Sequence, residues 1–101
     1  MNNRLEIAKD FADNIKSDNI KQIILFGSVA RGDDDEESDI DILIISPIAD
    51  DLTDDIMEVV TDIVLEKKEI ISPLLMTDEH FNKTKNYPFL TNVLKEGVVI
   101  G

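Results

Sequence analysis

Between Ser38 and Ile45 the chain reads Ser-Asp-Ile-Asp-Ile-Leu-Ile-Ile, and this stretch restricts the possible folds more than any other. Asp39 and Asp41 alternate with Ile40, Ile42 and Ile44. On a strand that period places both carboxylates on one face and the branched apolar side chains on the other. An earlier apolar run, Ile20 to Phe26, stops at Gly27 and reads as a mostly buried strand. The connection between the two is GSVARGDDDEE. A third run, Ile70 to Met76, contains Pro73, which lacks a ladder donor, so this strand is expected at an edge or with a bulge.

Helical spacing fills the rest. Residues 3–17 place Leu5, Ala8, Phe11, Ala12 and Ile15 on one stripe. From Asp51 to Lys67, the residues Leu52, Ile56, Val59, Val60 and Ile63 share a face, with Asp50 or Asp51 as N-cap and Lys67-Lys68 at the negative end of the dipole. Thr77-Asp78-Glu79 opens a short helix, and Pro88 and Gly97 frame another. Val98 to Gly101 can add a short strand. The expectation is a single α+β domain over residues 1–101, a small three- or four-stranded sheet with helices packed mainly on one face.

Composition excludes several roles. Among 101 residues there are 22 acidic and 10 basic side chains, and no cysteine. A disulfide framework and a thiolate zinc site are therefore absent, and His80 alone cannot supply a histidine-rich metal site. A reducing cytoplasm is expected. No apolar run approaches the ~20 residues that span a bilayer, and the opening MNNRLEIAKD has no signal-peptide core, so no membrane or export role is expected. The net charge of −12 argues against direct nucleic-acid binding through a broad basic surface. That charge is local: Gly32 to Glu66 holds 14 acidic residues and no basic one. An acidic mimic of nucleic acid fits poorly, because the acids cluster instead of tracing a stripe.

Chemistry concentrates in Gly27-Ser28-Val29-Ala30-Arg31-Gly32 and in Asp39 and Asp41. A strand that ends in Gly-Ser and turns into a short helix presents backbone N–H groups to an anion such as phosphate. Gly27 allows close approach and Ser28 offers a hydroxyl. Arg31 can pair with phosphate or tie the loop to the acidic run. Two carboxylates side by side repel each other unless a cation lies between them, and hard oxygen donors suit Mg²⁺ or Mn²⁺ together with substrate phosphates. A phosphate cradle beside such a pair reads as a nucleotide site for phosphoryl or nucleotidyl transfer.

The joint pattern of apolar strand, Gly-Ser, Ala-Arg-Gly, polar loop and Ser-Asp-x-Asp-apolar resembles the nucleotidyltransferase domains of the DNA polymerase β superfamily, and the length resembles its minimal group. The resemblance implies a mixed sheet and metal-dependent transfer of NMP from an NTP with release of pyrophosphate. It assigns Gly27, Ser28 and Arg31 to the triphosphate, and Asp39 and Asp41 to the metal and catalysis. It also implies ATP as the usual NTP, a protein hydroxyl as acceptor, and a toxin–antitoxin setting with a small helical partner protein of the nucleotide-binding type. One departure stands out. Such domains carry a third carboxylate on a later strand, where this chain has Ser72; Glu69, three positions away, falls on the opposite face unless Pro73 marks a bulge. The alternative reading is thus a weakly active or inactive nucleotide-binding antitoxin that works by binding its partner.

Other residues carry plainer expectations. The run Asp33 to Glu37 reads as a solvated loop, since five consecutive carboxylates in a turn cannot all converge. His80 reads as a surface or cap residue, and Met57 and Met76 as core. Tyr87 and Phe89 are expected to pack the last helix; an exposed aromatic pair would instead favour partner binding.

Overall fold

The computed structural model describes residues 3–101. Helix α1 (Arg4–Ile15) is capped by Asn3, whose side chain accepts the Glu6 N–H. Strand β1 (Gln22–Phe26) leads into the five-residue helix α2 (Gly27–Arg31). Strand β2 (Ile40–Ile45) is followed by α3 (Ala49–Lys67), strand β3 (Ile71–Met76), α4 (Asp78–Thr84), α5 (Pro88–Glu96) and strand β4 (Val98–Val99). The sheet order is β3-β2-β1-β4. Strands β1 and β2 are antiparallel, as are β1 and β4, whereas β2 and β3 run parallel across the α3 crossover. This is the mixed α+β sheet expected from the sequence.

The alternation in β2 does what its period requires. Ile40, Ile42 and Ile44 are fully buried with Ile23 and Leu25 against Phe11 and Ala12 of α1 and Ile56, Val60 and Ile63 of α3. Each such apolar side chain contributes roughly 1.5–3 kcal/mol on burial. The opposite face holds a smaller cluster, in which Ile24, Leu43 and Ile45 lie under Leu90 and Val93 of α5, with Phe81 of α4 at its margin. Asp41 shares that second face, at the end of β2 where the apolar cover stops. Pro73 occupies the edge strand as expected, in an unbroken register from Ile40↔Ile71 to Ile45↔Met76, so no bulge is needed.

Several local expectations shift. Leu5 remains exposed, and Arg4 and Ile7 take the buried places on α1. The α3 helix starts two residues early, at Ala49, with no side-chain cap, so Asp50 and Asp51 complement the dipole from its first turn instead of capping it. The turn before α3 is held by buried Ser46, whose Oγ donates to the Asn19 carbonyl and accepts the Ile48 N–H. Met57 is exposed, while Met76 packs in the smaller cluster. Thr77 caps α4 by accepting the His80 N–H, and His80 itself is exposed. Gly97 ends α5 at φ −74, an ordinary value; glycine is required there because a Cβ would fall 2.4 Å from the Val93 carbonyl oxygen and 2.7 Å from Ile24. No described helix is long and apolar enough to cross a membrane.

Candidate active site

Strand β1 places Phe26 opposite Asp41 on β2, so the residue after Phe26 must pass directly over the Asp41 carboxylate. Gly27 does so at φ +74, a left-handed conformation that side chains disfavour. A Cβ at this position would lie 2.3 Å from Asp41 Oδ2. The glycine is therefore doubly required, by backbone conformation and by the acid beneath it. Ser28 follows, half-buried, at the opening of α2, and Gly32 closes that turn in a second left-handed conformation, its N–H donating to the Ser28 carbonyl.

Asp39 stands just before β2 and is exposed, while Asp41 is partly buried. Burial raises the Asp41 pKa above the ordinary carboxylate value, and the charge of Asp39 raises it further against the opposing pull of Arg31. Across the parallel ladder Asp41 is paired with Ser72, whose Oγ donates to Asp39 Oδ2 at 3.1 Å. Ser72 thus lies at the acid pair. Glu69 does not: it precedes β3, is buried, and accepts from Arg4 Nε at 2.9 Å. It is held in a structural ion pair away from the acid pair.

Arg31 is exposed and donates from Nε to Asp33 and from Nη1 to Glu96 of α5, at 3.2 and 3.3 Å. These bonds, led by Asp33, hold its pKa above the ordinary guanidinium value. Among the two uses foreseen for Arg31, the tie to the acidic loop is present, together with a tie to α5.

A cleft of about 390 Å³ opens between the Gly-Ser turn and α5. Gly27, Ser28, Arg31 and Asp41 line one side, and Phe89, Asn92 and Glu96 line the other. Asp39 is not part of the lining and joins the group through its hydrogen bond with Ser72. The α5 wall escaped the sequence reading, although its spacing of three and four residues is that of one helix face. Phe26 and Phe89 meet edge to face, with centroids 5.8 Å apart, yet Phe89 and Tyr87 remain 52% and 63% exposed. The expected burial of that aromatic pair does not occur, because Leu90 and Val93 are the residues α5 turns onto the sheet. A larger hollow of about 530 Å³ surrounds Arg4, Asp34 and Lys68, away from the Gly-Ser turn. Its Asp34 and Glu69 carboxylates are already engaged by Arg4, so the smaller cleft is the better chemical candidate.

The donor set suits a hard divalent cation. Asp39 and Asp41 share a face, and a cation would offset the repulsion that raises the Asp41 pKa. Among the described residues no group of three or more His, Cys, Asp or Glu converges as a self-sufficient metal cage. Two carboxylates with substrate phosphates and water completing the sphere is the arrangement Mg²⁺ usually adopts.

Residues 5–96 match the nucleotidyltransferase domain family, and the chain belongs to that family. Two proteins of Methanocaldococcus jannaschii, each named "putative protein adenylyltransferase", resemble it along nearly their whole length. One is 42% identical, covering 97% of this chain and 98% of the relative; the other is 35% identical, covering 95% and 97%. A crystal structure of a "putative nucleotidyltransferase" from Sulfolobus solfataricus shares the fold at a TM-score of 0.58 and 22% identity, covering 95% of this chain and 78% of that one. A crystal structure described as a toxin–antitoxin with AMP-PNP does so at 0.63 and 16%, covering 99% and 73%.

Proposed function

We propose that this chain is a Mg²⁺- or Mn²⁺-dependent nucleotidyltransferase that moves AMP from ATP to a hydroxyl group of a protein partner. The observation that carries the reading is Gly27 seated on Asp41, which brings a phosphate-type turn and one member of the acid pair to the same cleft. Family membership supports an NTP as substrate, with a divalent metal in general. The name shared by the two M. jannaschii relatives supports AMP as the group and a protein as the acceptor.

In this reading the N–H groups around Gly27 and Ser28, with the Ser28 hydroxyl, hold the triphosphate. Arg31 exchanges Asp33 or Glu96 for a phosphate oxygen, since both bonds are exposed and readily replaced. Asp39 and Asp41 would hold the metal, and Ser72 orients Asp39 through its hydroxyl. When bound there, such an ion would supply neutralisation of the charge that develops during the transfer. The acceptor oxygen bonds to the α-phosphorus as the bond to the β-phosphate oxygen breaks, pyrophosphate leaves, and the hydroxyl proton passes to a base on the acceptor or to water. The acceptor in this reading is a separate protein chain, as the name of the two relatives suggests. The structure described as a toxin–antitoxin with AMP-PNP shares the fold and supports a protein partner, which in this reading is a small helical one.

A second reading has its own observation. Ser72 supplies no carboxylate, and Tyr87 and Phe89 are exposed beside the cleft, as a surface that binds a partner would be. The chain would then act by occupying a helical partner while retaining nucleotide. Melting with increasing Mg²⁺-ATP tests the shared part: ligand at about 100 times Kd stabilises by about 2.7 kcal/mol. The expected rise is absent from the Asp39→Asn/Asp41→Asn variant. No shift with any Mg²⁺-NTP refutes both readings, whereas a shift and a tight partner complex without turnover favours the second.

A further inference from the structure

We propose that Arg4 is a positioning residue of the acid pair, fixing the loop that delivers Asp39. The proposal rests on the nucleotidyltransferase reading only for the role of Asp39; the positioning itself is a matter of the chain's own contacts. Arg4 lies on α1 with its side chain 8% exposed, an unusual place for an arginine. Its Nε donates to Glu69 Oε2 at 2.9 Å, and Nη1 donates to Asp34 Oδ2 at 2.8 Å and to the Asp35 carbonyl. Nη2 donates to the Glu36 carbonyl at 3.2 Å. Burial disfavours the charge, but the bonds to Glu69 and Asp34 outweigh it, so the guanidinium stays firmly protonated.

One side chain thus joins α1, the acidic loop and the approach to β3. Among the described residues, the hydrogen bonds and ion pairs that tie residues 34–37 to another element all end on Arg4. The other bonds of residues 34–37 stay within the loop, Ser38 N–H donating to the Asp35 carbonyl and Glu37 N–H to Asp35 Oδ1, while Asp33 is tied to α2 through the Ser28 carbonyl and Arg31. On the far side, the residue after Glu69 receives β2, because the Ile40 N–H donates to the Ile70 carbonyl at 2.9 Å. Asp39 therefore sits between two segments that Arg4 clamps. Five consecutive carboxylates repel one another, and the fork of a guanidinium collects a carboxylate and two carbonyls from one such run in a way a point charge cannot. Arg4 touches neither the cleft nor the acid pair, so its effect on the site is through the loop.

The test uses the full chain with Arg4→Lys, which keeps the charge and loses the fork, and Asp34→Ala, which removes one loop contact. In metal-free protein the amides of Ser38 and Ile40 are expected to exchange about tenfold faster in Arg4→Lys, with Ile24 and Leu25 of β1 unchanged. Mn²⁺ affinity, read by electron paramagnetic resonance, is expected to fall about 10–100-fold, as for other partners that orient a ligand. A uniform rise in exchange with unchanged Mn²⁺ affinity would make Arg4 merely structural and overturn the proposal. Should Arg4→Lys fail to fold, Asp34→Ala decides: local loosening at Ser38 supports the proposal and its absence overturns it. Wild type and Asp41→Asn taking up Mn²⁺ equally would count against the metal reading, while amide exchange would still decide the role of Arg4.

Discussion

Gly27→Ala is the substitution for which the structure yields the sharpest arithmetic. The new side chain must accept φ +74, which costs about 1–2 kcal/mol for an L-residue. Its Cβ must also find room where Asp41 Oδ2 lies 2.3 Å away. The Asp41 backbone is held in the β1–β2 ladder opposite Phe26, so relief comes from displacing the carboxylate, and overpacking of this kind adds about 1–3 kcal/mol. The total is about 2–5 kcal/mol, and in a chain this long each kcal/mol lowers Tm by about 4–8 °C. The two contributions separate in an Asp41→Ala background. With Oδ2 and Cγ removed, the nearest Asp41 atom to the new methyl is its Cβ at 3.4 Å, an ordinary contact. Only the backbone cost remains there, which leaves a coupling of about 1–3 kcal/mol between the sites. Urea unfolding of the wild type, both single variants and the double variant measures it. Costs that agree within about 0.5 kcal/mol in the two backgrounds would refute the claim that Gly27 exists to let the turn rest on Asp41.

Three further outcomes follow from named contacts. Ser46→Ala leaves the Asn19 carbonyl and Ile48 N–H without their partner and should cost about 1–3 kcal/mol in urea unfolding. Because the folded pKa of Asp41 is raised, the metal-free protein should gain stability as pH falls from neutral through that pKa and lose it as pH rises again. Asp41→Asn should remove this contribution to the slope of Tm against pH, and an unchanged slope would assign it elsewhere. Ser72→Asp places a third acid beside Asp39, so Tm without metal should fall while transfer rises by about 10²–10⁴-fold as a base is supplied; a rate equal to wild type would show that no base is missing.

The strands and the placement of the acids were legible because their causes are local. The alternation of Asp39, Ile40, Asp41 and Ile42 specifies its own register, and Pro73 carries its preference for an edge. The Gly-Ser turn was legible for the same reason, since a left-handed residue between a strand and a helix is written in the residue type. What escaped depends on contacts distant in sequence. The α1 stripe came out rotated toward Leu5 because Arg4, read alone, belongs at the surface. Its burial is made possible by partners 30 and 65 positions away. Asp34 likewise read as one solvated acid among five, and only Arg4 distinguishes it. The far wall of the cleft was lost similarly: Phe89 and Asn92 announce no chemistry until α5 is docked across the sheet.

The central claim is that the Gly27-Ser28 turn and the Asp39–Asp41 pair together perform nucleotidyl transfer to a protein hydroxyl. The most direct test incubates this chain with α-labelled ATP, Mg²⁺ and the protein encoded beside it, and follows label on protein by intact mass with pyrophosphate release. The account predicts an AMP adduct and matching pyrophosphate, both lost in Asp39→Asn/Asp41→Asn. Absence of adduct and pyrophosphate with every NTP, or label that persists in the double variant, would contradict it.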